Sequence, residues 1–508
     1  MRLSIPKLDK KLFLILIGIL LLRLPSFFEP YWYGDEGIYL ALGQAMQRGA
    51  VLYRDIWDNK PPLLYLIYAI IPTLLWAKIT AAAFVLATVT MVYKFTKKYW
   101  AAVTTGILLS LPFPLLEGAI ANAELYFTLP IIIAAYFLWS NKHNLTTTLG
   151  IGLCFTMAFF LKVPTVFDFL GMFLAVSVSH FFEVSHLNLR TTKKFISDQV
   201  KFYLPIFLPF FIILCLTLGY FYTNQALSDF LTASFSQNAS YVAVGTGPLS
   251  KLSNPLFIKA GLLCLALLPL VFLFAKKKIS KELLFLASWF GFSLYGSLLS
   301  NRPYPHYLLQ IVPPAIILLN YLFLHLKKYW AILILVAAIL GQSLFFFSQP
   351  QILFDLLARQ KTNYYSNFFD YISERTTTED YLNYFDNRTS NNYELANYLA
   401  TRTRPQEPIF VWGDNAFVYV LSDRPPATKF IQAHHLTTIS PKNFDLIIER
   451  LQKYQPKFII VSRPAHFAFP KLEEFIRQNY RFNEKFQDLF VYRSLSKNPP
   501  PKFDVNYR

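Results

Sequence analysis

Long apolar stretches separated by short polar loops fill residues 1–349. A helix needs roughly 20 apolar residues, with a range of about 17–25, to cross a bilayer. The stretches that approach this length are 11–28, 78–95, 101–117, 124–140, 146–161, 164–182, 202–222, 255–275, 282–299, 307–326 and 329–347. A further apolar stretch, 61–76, is shorter, and Pro72 interrupts it. This pattern predicts a mostly α-helical, polytopic membrane bundle whose first span is retained.

The positions of lysine and arginine indicate that 61–76 does not cross the membrane. Basic residues favour the cytoplasmic side of a membrane protein. Without a crossing at 61–76, the basic clusters all fall on the side of the N-terminus. These clusters are Lys94/Lys97/Lys98, Lys142, Arg190/Lys193/Lys194, Lys276/Lys277/Lys278/Lys281 and Lys327/Lys328. We therefore predict about eleven spans in a cell (inner or plasma) membrane, a cytoplasmic N-terminus, and a segment 61–76 that lies in or re-enters the outer interface.

Residues 350–508 have a different pattern, because their apolar runs are too short to span a bilayer. Strands are predicted at 408–413, 457–462 and 489–493, and helices with apolar side chains at i, i+3 and i+4 are predicted at 392–402, 443–454 and 471–480. Alternating strands and helices are typical of an α/β domain. We therefore expect two domains: a transmembrane domain, 1–349, with a first outer loop at 29–77, and an extracytoplasmic α/β domain, 350–508.

Composition supports the membrane assignment. The chain is 54% hydrophobic and only 15% charged, whereas soluble domains average about 25% charged residues. A net charge of +18 is also typical of nucleic-acid-binding proteins, but basic loops between spans account for it, so no nucleic acid partner is expected. Cys154, Cys215 and Cys264 lie inside apolar runs, which excludes a disulfide framework in the loops.

The first outer loop begins with two adjacent acids, Asp35 and Glu36, in "GDEGIYLALGQAMQRG". Residues 38–46 repeat apolar side chains at helical spacing, which predicts a helix lying in the membrane interface. Asp35 then either caps this helix or takes part in chemistry. Glu36 either complements the helix dipole or belongs to the same site.

Other polar residues fall in the predicted outer turns. They are Lys60, Glu117, Asn122, Glu124, Lys162, Arg302, Tyr304 and His306. Each one alone is explained by a structural role, such as capping a helix or contacting lipid headgroups. Acids and bases gathered on one face at one membrane depth instead predict a site at the membrane–water boundary.

The chemistry that suits such a site is group transfer from a lipid-linked phosphate. A carboxylate can take a proton from an attacking hydroxyl, and lysine or arginine can hold a phosphate leaving group. The sequence contains no HExxH, CxxC pair or DxD motif, so no cofactor is predicted, although a divalent cation stays possible. The absence of Walker A and GxGxxG motifs argues against nucleotide-driven transport. The pair His434–His435 is predicted to lie on the surface.

Four motifs give the chain a family resemblance. They are "YGDEGIYLALGQAMQRGAVLYRDIWDNKPPLLY" (33–65), "ANAELYFTLP" (121–130), "FLKVP" (160–164) and "NRPYPHYLLQIVPP" (301–314). Together they resemble GT-C-fold glycosyltransferases of the family 39 type, whose relatives include protein O-mannosyltransferases and lipid A aminoarabinose transferases. The resemblance covers residues 1–347. It implies a polyprenyl-phosphate-linked sugar donor and inverting transfer, on the outer face, to a lipid, glycan or protein acceptor.

The resemblance also assigns roles to residues. It implies that Asp35, paired with Glu36, is the general base and that Lys60 lies near the donor phosphate. The second-loop acid that assists is expected to be Glu124 rather than Glu117. The further substrate-binding candidates are Asn122, Lys162, Arg302, Tyr304 and His306. The loop 223–254 is too short for the β-trefoil domain of eukaryotic protein mannosyltransferases, which leaves the acceptor open.

A flippase or transporter of lipid-linked sugars is the alternative. Such a protein is expected to carry ionisable groups near the bilayer midplane, often in broken helices. Here Arg23, Asp168 and Lys259 are the charged residues nearest to that description, and they fall close to predicted span ends or in uncertain positions. The sequence therefore favours the enzyme.

Overall fold

The computed structural model describes residues 9–140, 144–184, 189–238, 255–299, 304–325, 363–438, 442–464 and 467–496. The helices before residue 326 are α1 (Lys10–Arg23), α2 (Gly34–Gln47), α3 (Pro62–Ile70), α4 (Leu74–Thr96), α5 (Tyr99–Leu108), α6 (Ala123–Trp139), α7 (Leu145–Leu161), α8 (Val166–Glu183), α9 (Leu189–Thr223), α10 (Leu227–Leu231), α11 (Pro255–Ala275), α12 (Lys281–Ser297) and α13 (Val312–His325). The later helices are α14 (Tyr364–Ile372), α15 (Thr378–Phe385), α16 (Thr389–Arg402), α17 (Phe417–Ser422), α18 (Ala433–Thr438), α19 (Lys442–Tyr454) and α20 (Pro470–Asn479). The strands are β1 (Phe410–Trp412), β2 (Phe458–Ser462), β3 (Tyr480–Phe486) and β4 (Leu489–Ser494).

The predicted membrane helix bundle is confirmed. Within the described residues, six helical stretches are long and apolar enough to cross a membrane: Lys10–Phe28, Leu74–Thr96, Val163–Glu183, Thr192–Thr223, Ile258–Ala275 and Pro305–His325. Three shorter apolar helices are α5, α6 and α7. The number of about eleven spans stays a prediction, and the predicted span 329–347 lies outside the described residues.

Helix α5 is shorter than the apolar stretch that predicted it. The sequence suggested a span over 101–117, but the helix ends at Leu108. Pro112 and Pro114 follow in the second half of that stretch. Proline lacks the N–H that a helix needs and clashes with the preceding turn, so the apolar run continues without the helix.

The helix in segment 61–76 is also short, as the length of the segment and its internal proline predicted. Helix α3 has nine residues, so it is about 14 Å long, well below the roughly 30 Å of a bilayer's hydrocarbon core. Pro62 occupies its first position, where proline is favoured. The chain leaves the helical conformation at Ile71, the residue before Pro72, as is usual before proline.

The chain forms two compact units. The membrane unit consists of Met1–Phe27, Lys78–Thr217 and Tyr241–Thr362, and the α/β unit consists of Phe28–Ala77, Leu218–Ser240 and Asn363–Arg508. The first loop therefore shares a compact unit with the C-terminal residues. The predicted boundary between the two domains, at 349/350, lies outside the described residues.

The α/β unit contains a four-stranded sheet with the order β1-β2-β4-β3. Strand β2 pairs with β1 in parallel and with β4 in antiparallel orientation, and β3 pairs with β4 in antiparallel orientation. All five residues of β2 are buried, as expected for a central strand. The three predicted strands and the predicted helices α16, α19 and α20 are confirmed. The edge strand β3 was not predicted.

In the α/β unit, the first-loop helices pack tightly on one another. Helix α2 contacts α3 and α17. A Cβ atom added to Gly43 of α2 would lie 2.4 Å from the backbone oxygen of Tyr68, and one added to Gly37 would lie 2.6 Å from the ring of Phe417. Side chains at these two positions would push α2 away from its neighbours.

We predict that Gly43→Ala destabilises the protein by about 1–3 kcal/mol, the usual cost of overpacking a filled contact. The obstacle is the backbone of α3, which cannot turn aside as a side chain can. Thermal unfolding of the detergent-solubilised protein measures the change. Gly34→Ala is the matched control, because nothing lies within 4 Å of a Cβ atom there. Equal melting temperatures for both variants would contradict the predicted close contact.

Packed helix pairs and buried hydrogen bonds hold the membrane unit together. Helix α8 packs on α12, and α6 packs on α7. The carboxylate of Asp168 accepts hydrogen bonds from Trp289 Nε1 at 2.9 Å and from Gln310 Nε2 at 2.5 Å. Arg23 Nη1 donates to the backbone oxygens of Leu109 and Gly118 at 3.0 and 2.6 Å, which fixes the chain after α5.

Candidate functional site

Asp35 lies in the first turn of α2 and does not cap it. The helix begins at Gly34, and Tyr33 at the cap position makes no side-chain cap bond. Asp35 Oδ2 instead accepts a hydrogen bond from the hydroxyl of Tyr39, one turn along, at 2.9 Å. The Asp35 side chain is 28% exposed, whereas Glu36 is completely buried. Of the two predicted acids, Asp35 is therefore the one that a substrate can reach.

Lys60 lies between two carboxylates of the first loop. Its Nζ atom is 3.7 Å from Asp35 Oδ2 and 3.8 Å from Asp58 Oδ2. It also lies over the ring of Tyr39, 4.8 Å from the centroid. Both ion-pair distances exceed that of a hydrogen bond, so the attraction is Coulombic. The structure therefore brings these two predicted residues together, and their role as one site stays a prediction.

Asp58 is a buried anchor that the site prediction did not include. It accepts hydrogen bonds from the Tyr65 hydroxyl at 2.6 Å and from the Asn59 backbone N–H at 2.8 Å. Burial, together with the nearby Asp58 charge, raises the pKa of Tyr65 well above its ordinary value. The phenol therefore stays protonated and donates. The signal in the sequence was the short spacing of Asp58, Lys60 and Tyr65, all within eight residues.

His435 is placed differently from its predicted surface position. It is 5% exposed, and its Nε2 atom lies 3.3 Å from Asp58 Oδ1. Burial, and then the neighbouring His434, lowers the pKa of His435 to about 4. The imidazole is thus neutral near pH 7. His434 is more exposed, with Nδ1 3.1 Å from Asp414 Oδ1, so the surface prediction is wrong for His435 only.

The membrane unit contains a second polar cluster. Lys162 forms an ion pair with Glu124 and lies over the Tyr307 ring, 4.0 Å from its centroid. His306 contacts the carboxylate of Glu117 directly. Glu124 and Glu117 are both buried. The structure therefore brings together three predicted residues and adds Glu117, the acid that the prediction had set aside.

The remaining candidates have different environments. Asn122 precedes α6 and is completely buried, and within the described ranges neither polar atom of its side chain has a hydrogen-bond partner. Such a group is uncommon in folded proteins. Tyr304 is 40% exposed and stacks on His306 with centroids 5.7 Å apart. Arg302 lies outside the described residues.

The next question is whether the described side chains are arranged to bind a divalent cation. Among the described residues, no group of three or more histidine, cysteine, aspartate or glutamate side chains is arranged to hold a metal ion. The two polar clusters instead consist of carboxylates in contact with lysine or histidine side chains. Each cluster can stabilise charge or move a proton with its own side chains.

The chain is similar to solved structures of other membrane proteins. ArnT from Cupriavidus metallidurans bound to undecaprenyl phosphate is 12% identical, with a TM-score of 0.55, and the likeness covers 96% of this chain and 99% of that chain. The apo ArnT structure from the same organism is 13% identical, with a TM-score of 0.54 and coverage of 94% and 97%. An Archaeoglobus fulgidus oligosaccharyltransferase in complex with Zn and sulfate is 12% identical, over 94% of this chain and 73% of that chain, with a TM-score of only 0.41.

Sequence families describe a smaller part of the chain. A family profile named "Putative competence-induced protein Ccs4 C-terminal domain" matches residues 389–494, which lie in the α/β unit. No curated protein matches the sequence. The likeness to ArnT extends along almost the whole chain, so the predicted GT-C fold is confirmed. The assignment to family 39 in particular stays a prediction.

Proposed function

We propose that this protein is a membrane glycosyltransferase that moves a sugar from a polyprenyl-phosphate donor to an acceptor on the extracytoplasmic face, with inversion. The observation that carries this proposal is the pairing of Asp35 and Lys60, 3.7 Å apart, in a chain with the GT-C fold. A protein of this fold has been solved with undecaprenyl phosphate bound. That complex supports a polyprenyl phosphate as the lipid part of the donor.

The mechanism assigns one task to each member of the pair. Lys60 binds the donor phosphate through its ammonium group. Asp35 accepts the proton of an acceptor hydroxyl or amine. The acceptor atom then forms a bond to the anomeric carbon as the bond from that carbon to the phosphate oxygen breaks. The electron pair leaves with the phosphate, which is a stable anion and needs no proton. A single displacement inverts the anomeric configuration.

The second cluster is proposed to support binding rather than proton transfer. Glu124 and Lys162 form an ion pair in which only the glutamate is fully buried, so we assign Glu124 to placing Lys162 and Lys162 to contacting phosphate or sugar oxygens. Asn122 brings a buried amide with both donor and acceptor capacity. Tyr304 is 40% exposed and stacks on the buried ring of His306, so we assign Tyr304 to packing on a sugar ring and His306 to supporting it. Arg302 is a further phosphate partner in this proposal, and Glu36 a buried support for α2.

The direct test uses purified protein in proteoliposomes with a panel of polyprenyl-phosphate sugars. The measurement is release of free polyprenyl phosphate together with transfer of the labelled sugar to lipid, glycan or peptide acceptors. Release that depends on both donor and acceptor would establish a transferase. Movement of intact donor across the bilayer without release would establish a flippase and overturn the proposal.

We predict that Lys60→Met weakens binding of undecaprenyl phosphate by about 10-fold or more, since charge-assisted hydrogen bonds to ions contribute about 1.5–3 kcal/mol. The side chain is 18% exposed and placed between carboxylates. Binding is measured by competition with a fluorescent lipid phosphate. Lys471→Met is the matched control, because Lys471 is an exposed lysine that also pairs with an aspartate, Asp445. Equal affinity of Lys60→Met and wild-type protein would remove Lys60 from the site.

A further inference from the structure

Three polar groups converge on the carboxylate of Asp58: two hydrogen-bond donors and one imidazole nitrogen. The Tyr65 hydroxyl donates to Oδ2 at 2.6 Å, and the Asn59 backbone N–H donates to Oδ1 at 2.8 Å. His435, which comes from the C-terminal part of the same compact unit, places Nε2 3.3 Å from Oδ1. Asp58 is 0% exposed, so these groups replace the water that would otherwise solvate its charge.

This satisfied carboxylate holds Lys60 only loosely. A buried carboxylate normally draws a neighbouring ammonium into direct contact at about 2.7–2.9 Å. Here the distance from Lys60 Nζ to Asp58 Oδ2 is 3.8 Å, close to the 3.7 Å that separates the same atom from Asp35. The ammonium is therefore shared between the two acids instead of being bound to the more deeply buried one.

We propose that His435 is a positioning residue: by donating to Asp58, it keeps that carboxylate from drawing Lys60 inward and so holds the lysine between Asp35 and Asp58. In the proposed function, on which this inference rests, that position sets where the ammonium meets the donor phosphate. The α/β unit thereby supplies, from beyond residue 363, a group that sets the geometry of a first-loop site.

The chemistry of the surroundings fits a neutral donor at position 435. The charged or titratable groups that face His435 are Asp58, Lys60, His434 and Asp414. Burial lowers the pKa of His435 to about 4, so near pH 7 it supplies an N–H without adding a positive charge that would repel Lys60. Glutamine can place a neutral N–H near the Nε2 position, whereas asparagine is one methylene too short.

The test compares His435→Gln with His435→Asn in the full-length protein, purified in detergent. The readout is the acylation rate of Lys60, measured by mass spectrometry after brief treatment with a labelled anhydride at several pH values. In His435→Asn we expect the rate to fall by roughly threefold or more, because an ammonium in contact with a buried carboxylate is harder to deprotonate. His435→Gln is expected to behave like wild-type protein. His434→Gln, at the more exposed neighbouring position, is the control and is expected to leave the rate unchanged.

A second variant, Tyr65→Phe, removes a different donor from Asp58 and is expected to lower the acylation rate in the same direction. It keeps the test decisive if His435→Asn does not fold. An unchanged rate in both His435→Asn and Tyr65→Phe, or an equal fall in His435→Gln and His435→Asn, would overturn the positioning role.

Labelling of Lys60 needs no substrate, so it separates this inference from the proposed function. Turnover of polyprenyl-phosphate sugars is measured on the same samples. A labelling difference without turnover by wild-type protein would leave the His435 contact supported and the transferase rejected. Turnover by wild-type protein with no labelling difference would support the transferase and reject the positioning role of His435.

Discussion

Replacing Asp35 with asparagine should abolish sugar transfer while leaving the protein folded and able to bind donor. Asparagine keeps the size of the side chain but cannot accept a proton. Loss of a general base typically costs about 10²–10⁴-fold in rate. The loss is expected in the rate of polyprenyl phosphate release at saturating donor. Binding of undecaprenyl phosphate should persist, since the charge assigned to that task is on Lys60.

Asp445→Asn is the control for removing a carboxylate in general. Asp445 is 57% exposed and pairs with Lys471 at the surface of the α/β unit. The control variant should retain wild-type turnover. Full activity of Asp35→Asn in a protein with an unchanged melting temperature would eliminate Asp35 as the base. Loss of both turnover and lipid binding would instead indicate that Asp35 is needed to hold Lys60.

Lys162→Met should destabilise the membrane unit by about 3–5 kcal/mol, the usual cost of leaving a buried charge without its partner. Glu124 is 2% exposed and forms an ion pair with Lys162. Removing the lysine leaves this buried carboxylate without the ammonium that forms its ion pair. Unfolding in a denaturant series, followed by tryptophan fluorescence, measures the loss. The expected effect is independent of any substrate.

The double variant Glu124→Gln/Lys162→Met shows whether the pair itself is responsible. With both charges removed, much of the lost stability should return, because no uncompensated charge remains. If the losses of stability caused by the two single substitutions simply added in the double variant, the broken ion pair would not be the cause of the destabilisation. Ser280→Ala is a helix-cap control in the same unit, and its expected cost of about 0.5–2 kcal/mol calibrates the measurement.

The sequence predicted the regular elements of the α/β unit where their apolar pattern is strong. Residues 458–462 of β2 are all buried, and the corresponding run "KFIIVS" is clearly apolar. Strand β3 was missed because most of its residues are exposed or partly exposed. As an edge strand it is defined by its backbone pairing with β4, which leaves little trace in the alternation of side chains.

The site was predictable only where its residues lie close in sequence. Asp35 and Lys60 are separated by the rest of α2 and the loop that leads to α3, and one sequence motif contains both. His435 and Asp58 are joined only by folding, and a dipeptide of two histidines has no periodicity that distinguishes a buried ring from an exposed one. The capping role considered for Asp35 required α2 to begin at Glu36, whereas the helix begins at Gly34, two residues earlier.

The α/β unit has a consequence for how the protein is made. Its first segment ends at Ala77, and its last segment begins at Asn363. At about 5–20 residues per second, a ribosome takes roughly 15–60 s to synthesise the residues between them. During that interval the buried face of α2, including the surface that later receives Phe417, has not yet met its C-terminal partner. The first loop can therefore complete its packing only when translation is nearly finished.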